Sequence, residues 1–202
     1  MRDFPATEKY WYFGYGSNMN SKVFQGRRQM RPTKIERAVL KDYRLAFNQP
    51  GIPWLEPSFA NIEEAPGEYI EGVLYEITGA EMVRLDISEG NGAYDIVTSN
   101  VEGEVSGTVV AHTFATKNVS AGLHPSLRYM TLLVDGATEH GLSPEWVQKL
   151  REAPFSSGRV SQTLSPVIMR INRFFFTLGL PHPFRWWKRN HIAKAKRIKS
   201  PN

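Results

Sequence analysis

Up to Thr116 the apolar positions fall in short strand-like stretches broken by one helical segment, and after Ser126 they recur every three or four residues. Tyr10-Trp11-Tyr12-Phe13 is an aromatic run of high strand propensity that ends in Gly14-Tyr15-Gly16-Ser17-Asn18, as a buried strand entering a tight loop does. Ser21 to Met30 predicts a short helix with Ser21 as its cap and Val23 and Phe24 as its apolar contacts. Within Ile35 to Phe47 the alternation of Tyr43-Arg44-Leu45-Ala46-Phe47 predicts a half-buried strand, and Asn48 to Pro57, rich in Pro and Gly, predicts a loop. Ser58 to Ile62 is a further short strand. Pro66-Gly67 marks a turn before Tyr69 to Ile77, the most convincing strand of the chain.

Thr78 has the character of an N-cap, followed by Glu81, Met82 and Leu85 at helical spacing, so a helix runs to about Ile87 and delivers Glu89-Gly90. Tyr94 to Val101 and Ser106 to Thr116 read as two more strands. From Ser126, the residues Tyr129, Leu132, Leu133, Gly136 and Ala137 trace one side of a helix that Gly141 stops. Ser143-Pro144-Glu145 then supplies the cap, first-turn proline and early acid of a second helix, with Trp146, Val147 and Leu150 on its apolar side.

The 202 residues suffice for one domain and an extension. With 41% apolar and 22% charged residues a core can form. Cysteine is absent, which excludes disulfides, thiolate nucleophiles and Cys-ligated metals. The N-terminal residues lack the apolar stretch of a secretory signal and no run reaches the length of a membrane span, so the expected address is cytoplasmic. Charge is uneven. Residues 1–152 hold 15 Lys+Arg against 20 Asp+Glu, a net of 15 − 20 = −5, whereas residues 153–202 hold 25 − 15 = 10 basic residues and no acidic one. The expected organisation is therefore a domain over 1–154 and a basic aromatic extension over 155–202.

Two features carry candidate chemistry. The glycine-rich loop after the first strand is either an ordinary tight turn or a cradle whose converging N–H groups hold an anion or oxyanion. It is not a dinucleotide fingerprint, because Met19 stands where the third glycine belongs. Glu89, between an apolar-periodic segment and a glycine, is either a solvated surface carboxylate or a partly desolvated acid/base whose pKa is raised by burial and by Asp86. His112, His124, His140, His182 and His191 have no ligand spacing, and no Gly-x-Ser-x-Gly elbow occurs, so neither a metal site nor serine hydrolase chemistry is expected.

Four blocks resemble the γ-glutamylcyclotransferase family in order: Phe13 to Asn20, Pro66 to Tyr75, Leu85 to Gly90 with Tyr94, and Pro125-Ser126-Leu127-Arg128-Tyr129 continuing to Leu142. Together they span roughly residues 10–152, and the fourth is similar to the mammalian type of the family. The resemblance implies an α+β fold, a small mixed β-barrel flanked by helices with the substrate cavity at one mouth. It implies that Glu89 is catalytic, that Tyr15, Gly16, Ser17, Asn18, Met19 and Asn20 bind the γ-glutamyl group, and that Tyr94 and Tyr129 line the cavity. Glu89 and Tyr94 lie closer in sequence than is usual for that type. Gly14 replaces an alanine. By its residues alone Tyr129 also suits a helix core, and Ser126 suits a helix N-cap.

The implied reaction is an intramolecular cyclisation of a γ-glutamyl amide or dipeptide, releasing 5-oxoproline and a free amine or amino acid. It needs no cofactor and no metal, because both reacting groups belong to the substrate. The reading from another class is a non-catalytic γ-glutamyl or anion-binding domain tethered to a membrane or partner by the basic tail. In that tail Val167, Ile168, Ile171, Phe174, Phe175 and Leu178 fall near one helical face, followed by Trp186-Trp187 and a Lys/Arg-rich end. Packing on the domain or on a homodimer mate and contact of residues 164–199 with an anionic membrane surface are both open. Nucleic acid is the weakest reading, since no known binding module accompanies the charge.

Overall fold

The computed structural model describes residues 4–52, 55–89 and 94–156. Its framework is a closed barrel of five strands in the order β1-β3-β2-β4-β5: β1 (Lys9–Gly14), β2 (Lys34–Ile52), β3 (Glu56–Thr78), β4 (Asp95–Gly103) and β5 (Gly107–Ala115). Every pairing is antiparallel except that of β1 with β5, which closes the barrel in parallel through Trp11↔Ala111 and Tyr12↔His112. Three helices complete the described part, α1 (Gly79–Ser88), α2 (Leu127–Glu139) and α3 (Pro144–Glu152). This is the expected mixed barrel flanked by helices.

Phe13, Leu40, Ile70, Leu74, Tyr75 and Ile77 from the strands are buried together with Met82 and Leu85 of α1 and Leu133 of α2. Each such side chain contributes about 1.5–3 kcal/mol by leaving water, so the barrel and its helices share one core. Tyr12 stacks on Phe24 and Tyr75, with ring centroids 5.7 and 6.2 Å away. The helix starts follow their sequence signals. Thr78 and Glu81 form a reciprocal capping box on α1, and Ser126 and Ser143 accept the N–H groups of Tyr129 and Trp146. Gly141, at φ +66°, follows the end of α2.

The long hairpin corrects three expectations. Asn48 to Pro57 is not a loop throughout, because β2 runs on to Ile52 and β3 begins at Glu56. Pro50 fits because the ladder is irregular there, with a register shift between Ala46 and Gln49. Ser58 to Ile62 and Tyr69 to Ile77 are not separate strands, and Pro66-Gly67 is not a turn between them. Gly67 at φ +84° faces a second left-handed residue, Asp42 at φ 63°, whose Oδ1 accepts the Gly67 N–H at 2.9 Å. Paired irregularities at one level bend both strands together, which lets a hairpin of this length curl into the barrel wall.

The stretch from Ser21 to Met30 is also corrected. It holds a π-helical turn over Lys22–Arg27, and the Ser21 side chain makes no cap bond. Asn20 does that work instead. Its carbonyl accepts the N–H groups of Val23 and Phe24, and its Oδ1 accepts that of Lys22. Val23 and Phe24 are buried as expected. No helix among the described residues is long and apolar enough to cross a membrane. The expected packing, dimer, membrane and nucleic-acid roles of the extension concern residues 157–202, which lie outside the described residues.

Candidate active site

Strand β1 carries Tyr12 and Gly14 to the barrel mouth, where the chain turns through Gly16 into a 3₁₀ turn over Ser17–Met19. Helix α2 lies directly against this turn. A Cβ on Gly136 would sit 2.7 Å from both the Met19 carbonyl carbon and the Asn20 nitrogen, so only a residue without a side chain allows the approach. Tyr75 of β3 fixes the turn from below, its hydroxyl donating to the carbonyls of Asn18 and Met19 at 3.0 and 3.3 Å.

Glu89 follows the last turn of α1, its N–H bonded to the Leu85 carbonyl at 2.9 Å. Its side chain is 18% exposed and faces the loop. Asn18 Nδ2 donates to Glu89 Oε1 at 2.9 Å and to the Tyr12 hydroxyl at 2.7 Å. Arg28 Nη2 lies 2.8 Å from the same Glu89 oxygen, and its Nη1 donates to Ser88 Oγ. The charge in contact with Glu89 is thus Arg28, not Asp86.

Tyr129 and Tyr94 both bond the backbone of one residue of β3, Ala60. The Ala60 N–H donates to the Tyr129 hydroxyl at 3.2 Å, and Tyr94 donates to the Ala60 carbonyl at the same distance. Burial pushes the Tyr129 phenol up to about 12, against the lowering effect of the Ala60 N–H and a smaller lowering influence of the nearby Ser17 backbone N–H. Burial likewise raises Tyr15 and Tyr94 well above the ordinary tyrosine value, and burial followed by the Glu89 charge raises Tyr12. All four are neutral phenols near pH 7 and can donate.

The structure brings most of the expected residues together but gives them different positions. Asn18 touches Glu89. Gly16 lies beneath Tyr129, whose hydroxyl would be 3.1 Å from a Cβ at that position. Tyr15 donates to the Phe114 carbonyl and so ties the loop to β5. Met19 is fully buried, and the Asn20 side chain caps the π-helical turn, so both shape the loop from behind. Tyr12 and Arg28 belong to the constellation and carried no motif of their own. Tyr12 had one faint signal, its place two residues before Gly14 on the same face of β1. Arg27 is exposed at its surface although protein atoms crowd its guanidinium. That crowding, with Arg28 and Arg128 nearby, lowers its pKa. Among the described residues no three His, Asp or Glu side chains cluster as metal ligands would. An open groove lined by Lys41, Asp42, Gly67 and Tyr69 lies over the hairpin bulge and contains none of these residues.

Comparison with known proteins agrees with the fold. The model of the AIG2-like family matches residues 69–150. The gamma-glutamyl cyclotransferase gliK of Claviceps purpurea is 31% identical over 147 residues, an overlap of 67% of this chain and 66% of that protein. The chain therefore spans about two thirds of the length of that fungal relative. The Homo sapiens gamma-glutamylcyclotransferase is 27% identical over 176 residues, covering 82% and 91% of the two chains. A solved structure of a gamma-glutamyl cyclotransferase superposes with a TM-score of 0.66 at 25% identity, over 81% of this chain and 99% of that one. By barrel topology, ordered motifs and sequence likeness alike, the chain belongs to the γ-glutamylcyclotransferase family.

Proposed function

We propose that this protein cyclises a γ-glutamyl amide or dipeptide, releasing 5-oxoproline and a free amine or amino acid, with Glu89 as the acid/base. The observation that carries this reading is the 2.9 Å contact between Glu89 and Asn18, which puts a carboxylate against the loop of the first motif. One bound glutamyl unit can then touch both.

In the reaction the substrate's α-nitrogen forms a bond to its own γ-carbonyl carbon, and the bond from that carbon to the departing nitrogen breaks. The α-ammonium gives up two protons in becoming a lactam N–H, and the departing nitrogen gains two in leaving as an ammonium. Glu89 accepts protons from the first nitrogen and hands them to the second, one at a time. The γ-carbonyl oxygen gains charge as the ring closes. Tyr129 is suited to meet it: its oxygen already accepts the Ala60 N–H, which leaves its own proton to donate. Held in a folded conformer, the two reacting groups need no water nucleophile.

The test is to incubate the full chain with a set of γ-glutamyl amino acids, dipeptides and amines and follow the products by mass spectrometry. The expected product is 5-oxoproline with the matching free amine. Hydrolysis to glutamate, or no turnover of any member, would remove the reading and favour a domain that binds without turnover.

A further inference from the structure

Two polar atoms beside Glu89 have no hydrogen-bond partner although both are buried, Asn18 Oδ1 and Arg28 Nε. Neither is easily reassigned. The Asn18 amide directs its NH₂ to the Glu89 carboxylate, which accepts only, so its oxygen is fixed on the other side. Asn18 is itself 95% buried, being 5% exposed. The planar Arg28 fork is likewise held at two of its three nitrogens, by Glu89 and Ser88. Unsatisfied buried groups of this kind are rare and costly in native proteins. Here one is an acceptor and the other a charged donor, and the side chains that bear them both contact the same Glu89 oxygen.

A γ-glutamyl head presents the complementary pair on one carbon, an α-ammonium that donates and an α-carboxylate that accepts. We infer that Arg28 binds the α-carboxylate of the glutamyl unit while Asn18 Oδ1 takes the α-ammonium, so that these two side chains orient the head group against Glu89. This rests on the function proposed above and deepens it, assigning a specificity-determining role to Arg28. The ammonium then lies where Glu89 can take its proton, and the Tyr129 hydroxyl is left for the oxyanion.

A guanidinium that only positioned Glu89 would not distinguish ligands by their carboxylate, so the test reads that distinction directly. Ligand-observed NMR titrations compare 5-oxoproline with 5-oxoprolinamide, which replaces the carboxylate by a carboxamide, on the intact chain and on Arg28→Gln, Arg28→Lys and Glu89→Gln. The intact chain is expected to prefer 5-oxoproline by about tenfold or more, the scale of one charge-assisted hydrogen bond. Arg28→Gln erases the preference, Arg28→Lys keeps part of it, and Glu89→Gln keeps it. Thermal melts identify any variant that fails to fold, and the intact chain's own preference is a test that needs no variant. Equal binding of the two compounds, binding of neither, or a preference that survives in folded Arg28→Gln overturns the inference. Its failure is separable from that of the function: 5-oxoproline formation without carboxylate preference leaves the enzyme reading standing, and a preference lost in Arg28→Gln without turnover leaves the binding site standing.

Discussion

The Tyr129 hydroxyl receives the backbone N–H of Ala60 in β3, a segment far from it in sequence. Removing it strands that donor at a buried residue, and an unsatisfied buried donor costs about 1–3 kcal/mol. Tyr129→Phe is therefore expected to lower the unfolding free energy by about 1–3 kcal/mol, read as a lower urea midpoint at an unchanged m-value. An unaltered midpoint would mean that the hydroxyl does not hold this amide. The tyrosine's position in a helix was readable from its spacing, and its pairing with the β3 peptide was not. The same holds for Arg28: a guanidinium meets Glu89 only because the π-helical turn and the end of α1 converge, and no periodicity in the chain encodes that meeting.

Elements whose ends carry local chemistry were legible in the sequence. Thr78 with Glu81, Ser126, and Ser143-Pro144 each marked a helix start within a residue, because a cap is set by neighbours three positions away. The β2–β3 hairpin was not legible. Its Pro50, Gly51, Pro66 and Gly67 carry ordinary turn signals, and only pairing across the two strands absorbs them as bulges. Gly136 shows how an element positions the site. A methyl there must displace the Met19–Asn20 backbone, and overpacking of this kind costs about 1–3 kcal/mol. Gly136→Ala is expected to lower the melting temperature and, by shifting Asn18 away from Glu89, to lower turnover by more than the loss of folded protein explains. Full activity at unchanged stability would contradict the close approach.

At the scale of the molecule, acidification acts on a half-buried histidine before it reaches the carboxylates. Burial lowers the pKa of His140, against the raising influence of Glu139 and of the Met19 backbone. Below its ordinary value near about 6.5 the unfolded chain binds a proton that the folded chain refuses. Stability therefore falls as pH drops through that value and is level above it. Burial raises the pKa values of Glu36, Glu81 and Glu139, but their hydrogen bonds together outweigh it, and hydrogen bonds lower that of Glu76, so the net direction is down and their contribution, present above the ordinary carboxylate range, is lost only at lower pH. Melting curves between pH 7.5 and 5, roughly spanning the histidine value, are expected to show a decline that His140→Gln reduces. An equal decline in both proteins would assign it elsewhere. The barrel as a whole was within reach of the sequence only through the ordered motifs, since alternation alone predicts strands and says nothing of the parallel β1–β5 contact that closes them.

The central claim is that Glu89 moves the protons of ring closure, and the direct measurement is the rate of 5-oxoproline formation by Glu89→Gln against the intact chain on the best γ-glutamyl substrate. Glutamine keeps the shape and an acceptor for Asn18 but cannot carry a proton, so kcat is expected to fall by about 10²–10⁴-fold with KM changed little. Turnover by Glu89→Gln within a few-fold of the intact protein would contradict the account.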